Sequence, residues 1–240
     1  MANYKELEGF GVQTLATDPD SAGWVGSIFY NSTSGTFKTV KPGGIAAGTW
    51  ASGGSLNLER YAGVGAGTQT AALSSAGSAP TGRVTNVESY NGSSWTEITD
   101  VNTARNELGG SGTQTAAIIM GGRVPATETG ATETWNGTSW TEVADLNTAR
   151  DNLNQSMGTQ TANLVASGNS PGGPVAFVES WNGTSWTEVN NMATARFNNA
   201  SAGTGTAALA AGGSTDPGGT RTTATEEWNA PVGNLDVTLT

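Results

Sequence analysis

The sequence predicts an all-β protein: a four-bladed β-propeller over residues 50–230, closed by an N-terminal strand and preceded by an arm that contains a β-hairpin. Two observations predict this fold. A tryptophan occurs four times at a spacing of 45 or 46 residues, and an arginine follows each copy ten residues later. Strand-like segments separated by glycines fill each period, which is typical of propeller blades. The repeated pairs are Trp50 and Arg60, Trp95 and Arg105, Trp140 and Arg150, and Trp186 and Arg196.

The composition excludes several partners and cofactors. A net charge of -10 with only ten Lys and Arg residues argues against nucleic acid, because phosphate binding requires clustered basic residues. No apolar run approaches the length of a membrane span, and residues 1–6 do not open a signal peptide. The chain has no cysteine and no histidine, so it offers no disulfide and no Cys/His metal site. We therefore expect no cofactor, no nucleic acid and no membrane insertion.

Residues 1–49 do not carry the full repeat and are predicted to form an arm or attachment module. Within them, residues 27–40 contain two aromatic and β-branched runs around a turn rich in Asn, Ser and Gly, which predicts a hairpin. A break at 41–44, Lys-Pro-Gly-Gly, separates the arm from the first repeat tryptophan. At the other end, residues 231–240 form a tail in which 235–239 is strand-like.

Each repeat unit contains four strand-like segments, as a propeller blade requires. The tryptophan segment, such as 95–98, comes first. A segment of small and polar residues such as 106–111 follows the arginine, and we place it innermost because bulky side chains would collide where blades converge. An apolar segment, 115–120, comes next, and the last segment has a glutamate two residues before an aromatic residue. These glutamates are Glu88, Glu133, Glu179 and Glu226.

The two ends of the repeat array are incomplete in complementary ways. The last unit reaches Trp228 and Asn229, but no tryptophan segment follows. The first unit begins with an extra tryptophan segment, 50–57, that has no preceding members of its own blade. Because closure of a ring removes exposed strand edges, we predict that residues 50–57 complete the last blade.

The order of these segments resembles the kelch repeat of kelch and galactose-oxidase-like propellers over about residues 50–229. The Gly-Gly that ends the apolar strand is present at 121–122 and 212–213, whereas 74–75 and 166–168 depart from it. The resemblance implies a kelch-like propeller. It does not imply the copper chemistry of galactose oxidase, which needs histidine and a cysteine-linked tyrosine that this chain lacks.

A second resemblance involves Trp-Asn-Gly-Thr-Ser-Trp-Thr-Glu at 135–142 and 181–188, together with the arm segment 26–38. These segments look like structural proteins of tailed bacteriophages, particularly tail-fibre or tail-tip components. This resemblance implies a non-enzymatic virion protein that is assembled in the host cytoplasm. Its expected partners are other virion proteins and further copies of itself, held through the N-terminal arm.

The repeated charges and Asn-Gly pairs have more than one interpretation. The Arg and Glu series suggests an active site, but a catalytic site would occur once, so we predict ion-paired struts between strands. The sequons at Asn91, Asn136 and Asn182 fit hairpin turns better than glycans. Asp18 and Asp20 faintly resemble a calcium loop or sialidase Asp-box. A glycoside hydrolase carboxylate pair has no particular candidates in the sequence.

The loop after each apolar segment varies among otherwise similar units, and variable loops on a rigid scaffold often carry recognition. Solvent-facing connectors without a ligand remain an equal alternative. For function, a virion component comes first, a carbohydrate-binding adhesin or lectin that binds a host-surface glycan comes second, and a polysaccharide hydrolase comes last. The candidate recognition residues of the four loops are Arg83, Arg123, Asn169 and Asp216.

Overall fold

The structure, a computed structural model, describes residues 13–17, 28–39, 49–153 and 156–230. These residues form an all-β protein that divides into two compact units, Met1–Ser52 and Gly53–Thr240. The boundary predicted from the sequence lies after residue 49. The described residues contain no helix, and hence none with the length and hydrophobicity to cross a membrane.

The first unit contains a three-stranded sheet in which β1 (Gln13–Leu15) pairs parallel to β2 (Ile28–Asn31), and β2 pairs antiparallel to β3 (Thr36–Thr39). The β2–β3 turn is stabilised by Asn31, whose Oδ1 accepts the backbone N–H groups of Thr33 and Ser34 at 3.0 and 2.9 Å. The predicted hairpin is therefore present. The acidic segment 18–24, the break at 41–44 and the tail at 231–240 lie outside the described residues.

The second unit contains four repeat sheets, one for each copy of the sequence repeat, and neighbouring strands within each are antiparallel. The first repeat sheet comprises β4 (Val64–Thr68), β5 (Ala71–Ser75), β8 (Val87–Tyr90) and β9 (Trp95–Ile98), with a small hairpin of β6 (Ser78–Ala79) and β7 (Gly82–Arg83) between β5 and β8. The second repeat sheet comprises β10 (Gly109–Thr113), β11 (Ala116–Met120), β12 (Thr132–Trp135) and β13 (Trp140–Val143).

The third repeat sheet comprises β14 (Met157–Gly158), β15 (Asn163–Ala166), β18 (Val178–Trp181) and β19 (Trp186–Val189), and again carries a small hairpin, β16 (Asn169–Ser170) and β17 (Gly173–Pro174). The fourth repeat sheet comprises β20 (Ala200–Gly203), β21 (Ala207–Ala211) and β22 (Thr225–Asn229). The tryptophan strand β9 and the apolar strand β11 thus begin and end within one residue of their predicted positions, and β12 contains Glu133 two residues before Trp135 as predicted.

The Asn-Gly pairs form the turns that connect the last two strands of the first three sheets. In the second sheet, Trp135 is paired with Trp140, and the Asn136 Oδ1 accepts the N–H groups of Thr138 and Ser139, each at 2.9 Å. Gly137 has a φ of +92°, which an L-residue rarely adopts. The same asparagine contacts occur at Asn91 and Asn182. This confirms the predicted turns.

The innermost strands are β4, β10, β14 and β20, which contact one another in chain order. Their small side chains allow this close approach: a Cβ on Gly110 of β10 would lie 3.0 Å from the Val64 methyl groups of β4. The predicted position of the small-residue strand is confirmed, although β10 begins at Gly109 rather than at residue 106.

Apolar side chains fill the three spaces between consecutive repeat sheets. Leu73 and Val87 of the first sheet pack with Trp135 and Trp140 of the second, and all four are buried. The equivalent cluster between the second and third sheets contains Ile118, Met120, Trp181 and Trp186. Leu164 and Val178 of the third sheet pack with Ala208 and Trp228 of the fourth. The tryptophans of the second and third sheets thus lie between sheets, whereas Trp50 is fully exposed and Tyr90 and Trp95 are only half-buried.

The predicted closing strand is absent. Residues 50–57, all of them described, contain no strand, and Trp50 is fully exposed. The fourth repeat sheet consequently has three strands in the described part of the chain. The local sequence supplies a reason, because Ala51, Ser52 and Gly53 stand where the other copies have the better strand formers Thr-Glu-Ile or Thr-Glu-Val. The prediction that this segment completes the last sheet of its own chain is therefore wrong.

Candidate functional site

Four arginine–glutamate ion pairs occupy equivalent positions in the four repeat sheets. The distances from guanidinium to carboxylate are 2.7 Å for Arg60–Glu88, 2.8 Å for Arg105–Glu133 and 2.7 Å for Arg150–Glu179, and Arg196 forms the fourth pair with Glu226. The arginine side chains are almost wholly buried. The structure confirms the predicted ion-paired struts.

Each glutamate also accepts hydrogen bonds from the segment that leads into its own repeat sheet. Glu133 Oε2 accepts both the backbone N–H and the side-chain amide of Asn102 at 2.8 Å. In the first sheet, Glu88 has the same contacts with Asn57. Burial alone would raise the pKa of Glu88, but these hydrogen bonds, with those from Leu58 and Arg60, hold its pKa below the ordinary value. The carboxylates therefore hold connecting segments in place.

The four variable loops emerge at the same end of the repeat sheets. Near the start of each loop, one residue forms a β-bridge with the residue that directly follows the repeat arginine. The four loops therefore start from equivalent backbone positions. The bridged pairs are Tyr61 and Ser78, Asn106 and Arg123, Asp151 and Asn169, and Phe197 and Ser214. We call this end of the second unit, formed by residues 76–86, 121–131, 167–177 and 212–224, the loop face.

Two of the candidate recognition residues connect neighbouring repeat sheets. The Arg83 Nε donates to the Asn106 Oδ1 at 2.8 Å. The Arg123 Nη1 lies 3.3 Å from the Asp151 carboxylate of the third sheet and 3.7 Å from Glu128. Because 43% of the Arg123 side chain is exposed, it still presents hydrogen-bond donors at the surface.

The other two candidates lie in the third and fourth loops. Asn169 exchanges both backbone hydrogen bonds with Asp151 at 2.9 Å, and its side chain is half-buried. Asp216 closes a tight turn: hydrogen bonds from the Thr220 side chain and backbone, and from the N–H groups of Gly218 and Gly219, lower its pKa. Asp216 is therefore a fixed negative charge at neutral pH.

A polar groove of about 480 Å³ runs beside Asp216 in the fourth loop. Its walls include the half-buried ring of Phe197, the exposed Asn198 and Arg221, and Pro217. It combines an aromatic surface with an anion, a cation and an amide. Such a combination of a flat apolar surface and a few polar groups suits a neutral polyhydroxylated ligand.

Four non-glycine residues of the second unit have positive φ at equivalent positions of the repeat, and the sequence predictions did not include them. These residues each follow a repeat arginine by two positions, and Glu107 is the charged member, with a φ of +58°. Burial, and then the neighbouring Asp151, raise the pKa of Glu107, while Arg123 and Arg83 oppose this. The constant spacing of these four residues from the repeat arginines is the sequence signal that could have identified them. The full set is Ala62, Glu107, Asn152 and Asn198.

The second unit also contains a cavity of about 650 Å³ that is lined by residues at or next to the innermost strands of all four repeat sheets and by Leu56, residues 72–74 and Trp95 of the first repeat. Ser111, Ser156 and Ser201 contribute hydroxyl groups, and most other lining residues are glycine or alanine. No titratable side chain lines this cavity in the described part of the chain. The described residues also contain no group of three His, Cys, Asp or Glu side chains that could bind a metal ion.

Comparison with known proteins found no family model that matches the chain and no curated protein with significant similarity.

Proposed function

We propose that the chain is a non-enzymatic structural component of a tailed-phage virion, of the tail-fibre, tail-tip or surface-decoration type. In this proposal the four repeat sheets are the blades of a kelch-like propeller that is displayed outward. Residues 1–49 attach it to other virion proteins and to further copies of the chain.

The division of the second unit into a repeated scaffold and a variable loop face supports this proposal. The charged residues that recur, such as Arg105 and Glu133, are buried and hold the connecting segment of a repeat against its own sheet. The residues that differ between repeats, such as Arg123 and Asp216, lie on loops at one end. A rigid body with one variable end suits display and recognition more than chemistry.

The arm gives separate support. A short hairpin of β2 and β3 precedes the repeat unit, and its turn is rich in Asn, Ser and Thr, as in the phage fibre modules that it resembles. We test this proposal by mass spectrometry and antibody labelling of purified particles of the virus that encodes the chain. Detection of the chain in stoichiometric amounts at one site on the particle is the expected result. Its absence from washed particles would overturn the proposal.

The groove beside Asp216 favours a second function, binding of a host-surface glycan. Phe197 offers a face for a sugar ring, and Asp216, Asn198 and Arg221 offer acceptors and donors for hydroxyl groups. A glycan array probed with the full chain should give selective binding that is lost in Phe197→Ala and Asp216→Asn.

The matched control is Tyr61→Ala, because Tyr61 precedes the first repeat's loop at the position equivalent to Phe197 and is exposed. Retention of binding in this variant places the ligand in the fourth loop. Equal loss in all three variants, or no binding by the unaltered chain, contradicts glycan recognition in this groove.

A further inference from the structure

The three junctions between consecutive repeat sheets share one backbone hydrogen bond, and side-chain contacts add to it at some of them. A backbone N–H in the loop of one sheet donates to the carbonyl of the next repeat arginine: Gly77 to Arg105, Gly122 to Arg150 and Gly168 to Arg196. In the same series, Gly213 of the fourth sheet and Arg60 of the first would be the next pair. Among the described residues, no such bond joins them.

A glutamine makes the second repeated contact. Gln114 of the second sheet donates through Nε2 to the Tyr90 carbonyl at 2.6 Å and the Ser89 hydroxyl at 2.9 Å, both in the first sheet. Gln160 of the third sheet donates equivalently to the Trp135 carbonyl at 2.5 Å. The equivalent residue of the first sheet, Gln69, is exposed and has no hydrogen-bond partner among the described residues.

The fourth sheet has an uncovered face, and the groups on this face complement the unpaired donors of the first sheet. Leu209 is 39% exposed, whereas its counterparts Leu73, Ile118 and Leu164 are at most 2% exposed under the next sheet. Glu227 stands where Ser89 accepts the glutamine amide, and its carboxylate is exposed. The fourth sheet therefore presents the apolar and acceptor groups of a junction, and no further sheet packs on them among the described residues.

The first sheet carries the complementary side. Trp140 and Trp186 are each about 6% exposed at their junctions, and Trp186 Nε1 donates to the Thr132 hydroxyl of the preceding sheet at 3.1 Å. The equivalent tryptophan, Trp95, is only half-buried. The residue equivalent to Thr132 in the fourth sheet is Thr225, which is exposed. The Trp95 indole on the first sheet and the Thr225 hydroxyl on the fourth sheet thus both lack the contact that Trp186 makes with Thr132.

We propose that the first repeat sheet of one copy docks on the fourth repeat sheet of a second copy, repeating the junction found three times within the chain. In this contact, Gln69 of one copy binds Glu227 and the Trp228 carbonyl of the other, Trp95 binds Thr225, and Leu209 is covered. A second copy is the occupant because a first sheet carries this set of side chains, and within one chain the described residues of the first and fourth sheets share no hydrogen bond and no core cluster. The contact is head-to-tail, so two copies that dock reciprocally form a closed ring.

The fourth sheet also lacks the outer tryptophan strand that the other three sheets have. The edge of β22 has no partner among the described residues, and Trp228 lacks the ring contact that Trp181 makes with Trp186 at 5.2 Å. A cavity of about 80 Å³, lined by Val178, Met192 and Trp228, lies beside it.

Two measurements on the full-length chain test the proposal. Light scattering coupled to size-exclusion chromatography should give a mass of two copies, or of a larger closed ring, for the unaltered chain. Leu209→Arg and Gln69→Ala should shift this mass to that of one copy while retaining the circular dichroism spectrum. Thr141→Arg, on the exposed outer strand of the second sheet, is the matched control and should leave the assembly unchanged. An unaltered chain that is monomeric overturns the proposal.

The absence of native cysteine permits a direct test of the contact. Equal amounts of Gln69→Cys and Glu227→Cys protein, mixed and treated with a short bis-maleimide, should give a covalent dimer that neither protein forms alone. The double variant should give covalent dimers and rings as well. A double variant that crosslinks only within one chain would show that the chain closes on itself, and an assembly that survives Leu209→Arg and Gln69→Ala would show that other surfaces hold it. Either result overturns the proposal.

Discussion

The guanidinium of Arg105 lies 2.8 Å from the carboxylate of Glu133, and neither side chain reaches solvent. Arg105 also donates to the carbonyls of Gly121 and Ala131, and Glu133 accepts two hydrogen bonds from Asn102. The pair therefore connects three separate backbone segments. The desolvation of both charges offsets much of the energy gained from the ion pair itself. The main effect of the pair is therefore to hold these backbone segments in fixed positions.

We expect Arg105→Leu or Glu133→Leu alone to lower the free energy of unfolding by about 3–5 kcal/mol, because each leaves a buried charge without its partner. In many proteins the apolar double variant recovers stability. Here the double variant should remain strongly destabilised, since the backbone groups at Asn102 and Ala131 lose their partners as well. Denaturant titration of the unaltered protein, the two single variants and the double variant gives the coupling free energy between the two side chains. Glu128→Gln, in a partly exposed pair at 3.7 Å, should cost less than about 1 kcal/mol and is the control.

Acid should remove the contribution of Glu88. Its folded-state pKa lies below the ordinary value of 4.5, so its stabilisation is present above that pH and is lost as the pH falls through the folded-state value. Glu88→Gln should therefore reduce the free energy of unfolding most at pH 7. The difference from the unaltered protein should shrink below pH 4.5. Urea titrations at both pH values check this, and a constant difference would contradict it.

Glu107 should behave in the opposite way. Its pKa is raised in the folded state, so the charged form opposes folding, and stability falls as the pH rises from 4.5 through the folded-state value. We expect Glu107→Gln to increase the free energy of unfolding at pH 7 and to have little effect at pH 4. The amide retains an oxygen for Asn152, which lies 3.4 Å from the carboxylate. Lower stability of this variant at pH 7 would refute the assignment.

The sequence predicted the repeated contacts better than the ends of the array. Arg150 and Glu179 could be paired from spacing alone, because a repeat that packs on its neighbour must use equivalent positions in the same way. The closing strand could not be decided by register, since Trp50 has the position of a strand residue but is followed by Ala51, Ser52 and Gly53, which form strands poorly.

At the loop face, too, the sequence predicted the positions of residues but not their contacts. Spacing identified Arg83, Arg123, Asn169 and Asp216 as loop residues, but it did not indicate what each side chain contacts. The contact of Arg123 with Asp151 joins two repeats across 28 positions, and depends on loop geometry that differs in every copy. Such contacts have no periodic signal in the sequence.

Glycine should be required in the second sheet for two different reasons. Gly137 has a φ of +92°, and a Cβ there would meet Thr115 only at ordinary contact distance, so Gly137→Ala should cost about 1–2 kcal/mol from backbone conformation alone. Gly112 has a φ of +116°, and its Cβ would also overlap the Ala116 carbonyl. Gly112→Ala should therefore be clearly the more destabilising in thermal unfolding. Equal melting temperatures would show that the overlap is relieved by movement of the strand.

Two equivalent tryptophans differ in whether their indole N–H is satisfied. Trp186 Nε1 donates to the Thr132 hydroxyl, whereas Trp140 Nε1 is buried without a partner, because Val87 stands at the position equivalent to Thr132. A buried donor without a partner costs about 1–3 kcal/mol. Burial of a hydroxyl in place of a methyl group is ordinarily destabilising, but at position 87 the new hydroxyl has a donor in reach.

We therefore expect Val87→Thr to leave the free energy of unfolding unchanged or to raise it by up to about 1 kcal/mol. The reverse change, Thr132→Val, removes the acceptor of Trp186 and should lower it by about 1–3 kcal/mol. Val178→Thr is the matched control, since the indole of the nearby Trp228 already donates to the Gly205 carbonyl at 3.2 Å and leaves the added hydroxyl without an indole donor. If Val87→Thr destabilises as much as Val178→Thr, the indole of Trp140 does not reach the new hydroxyl, and the equivalence between the first two junctions fails at that pair.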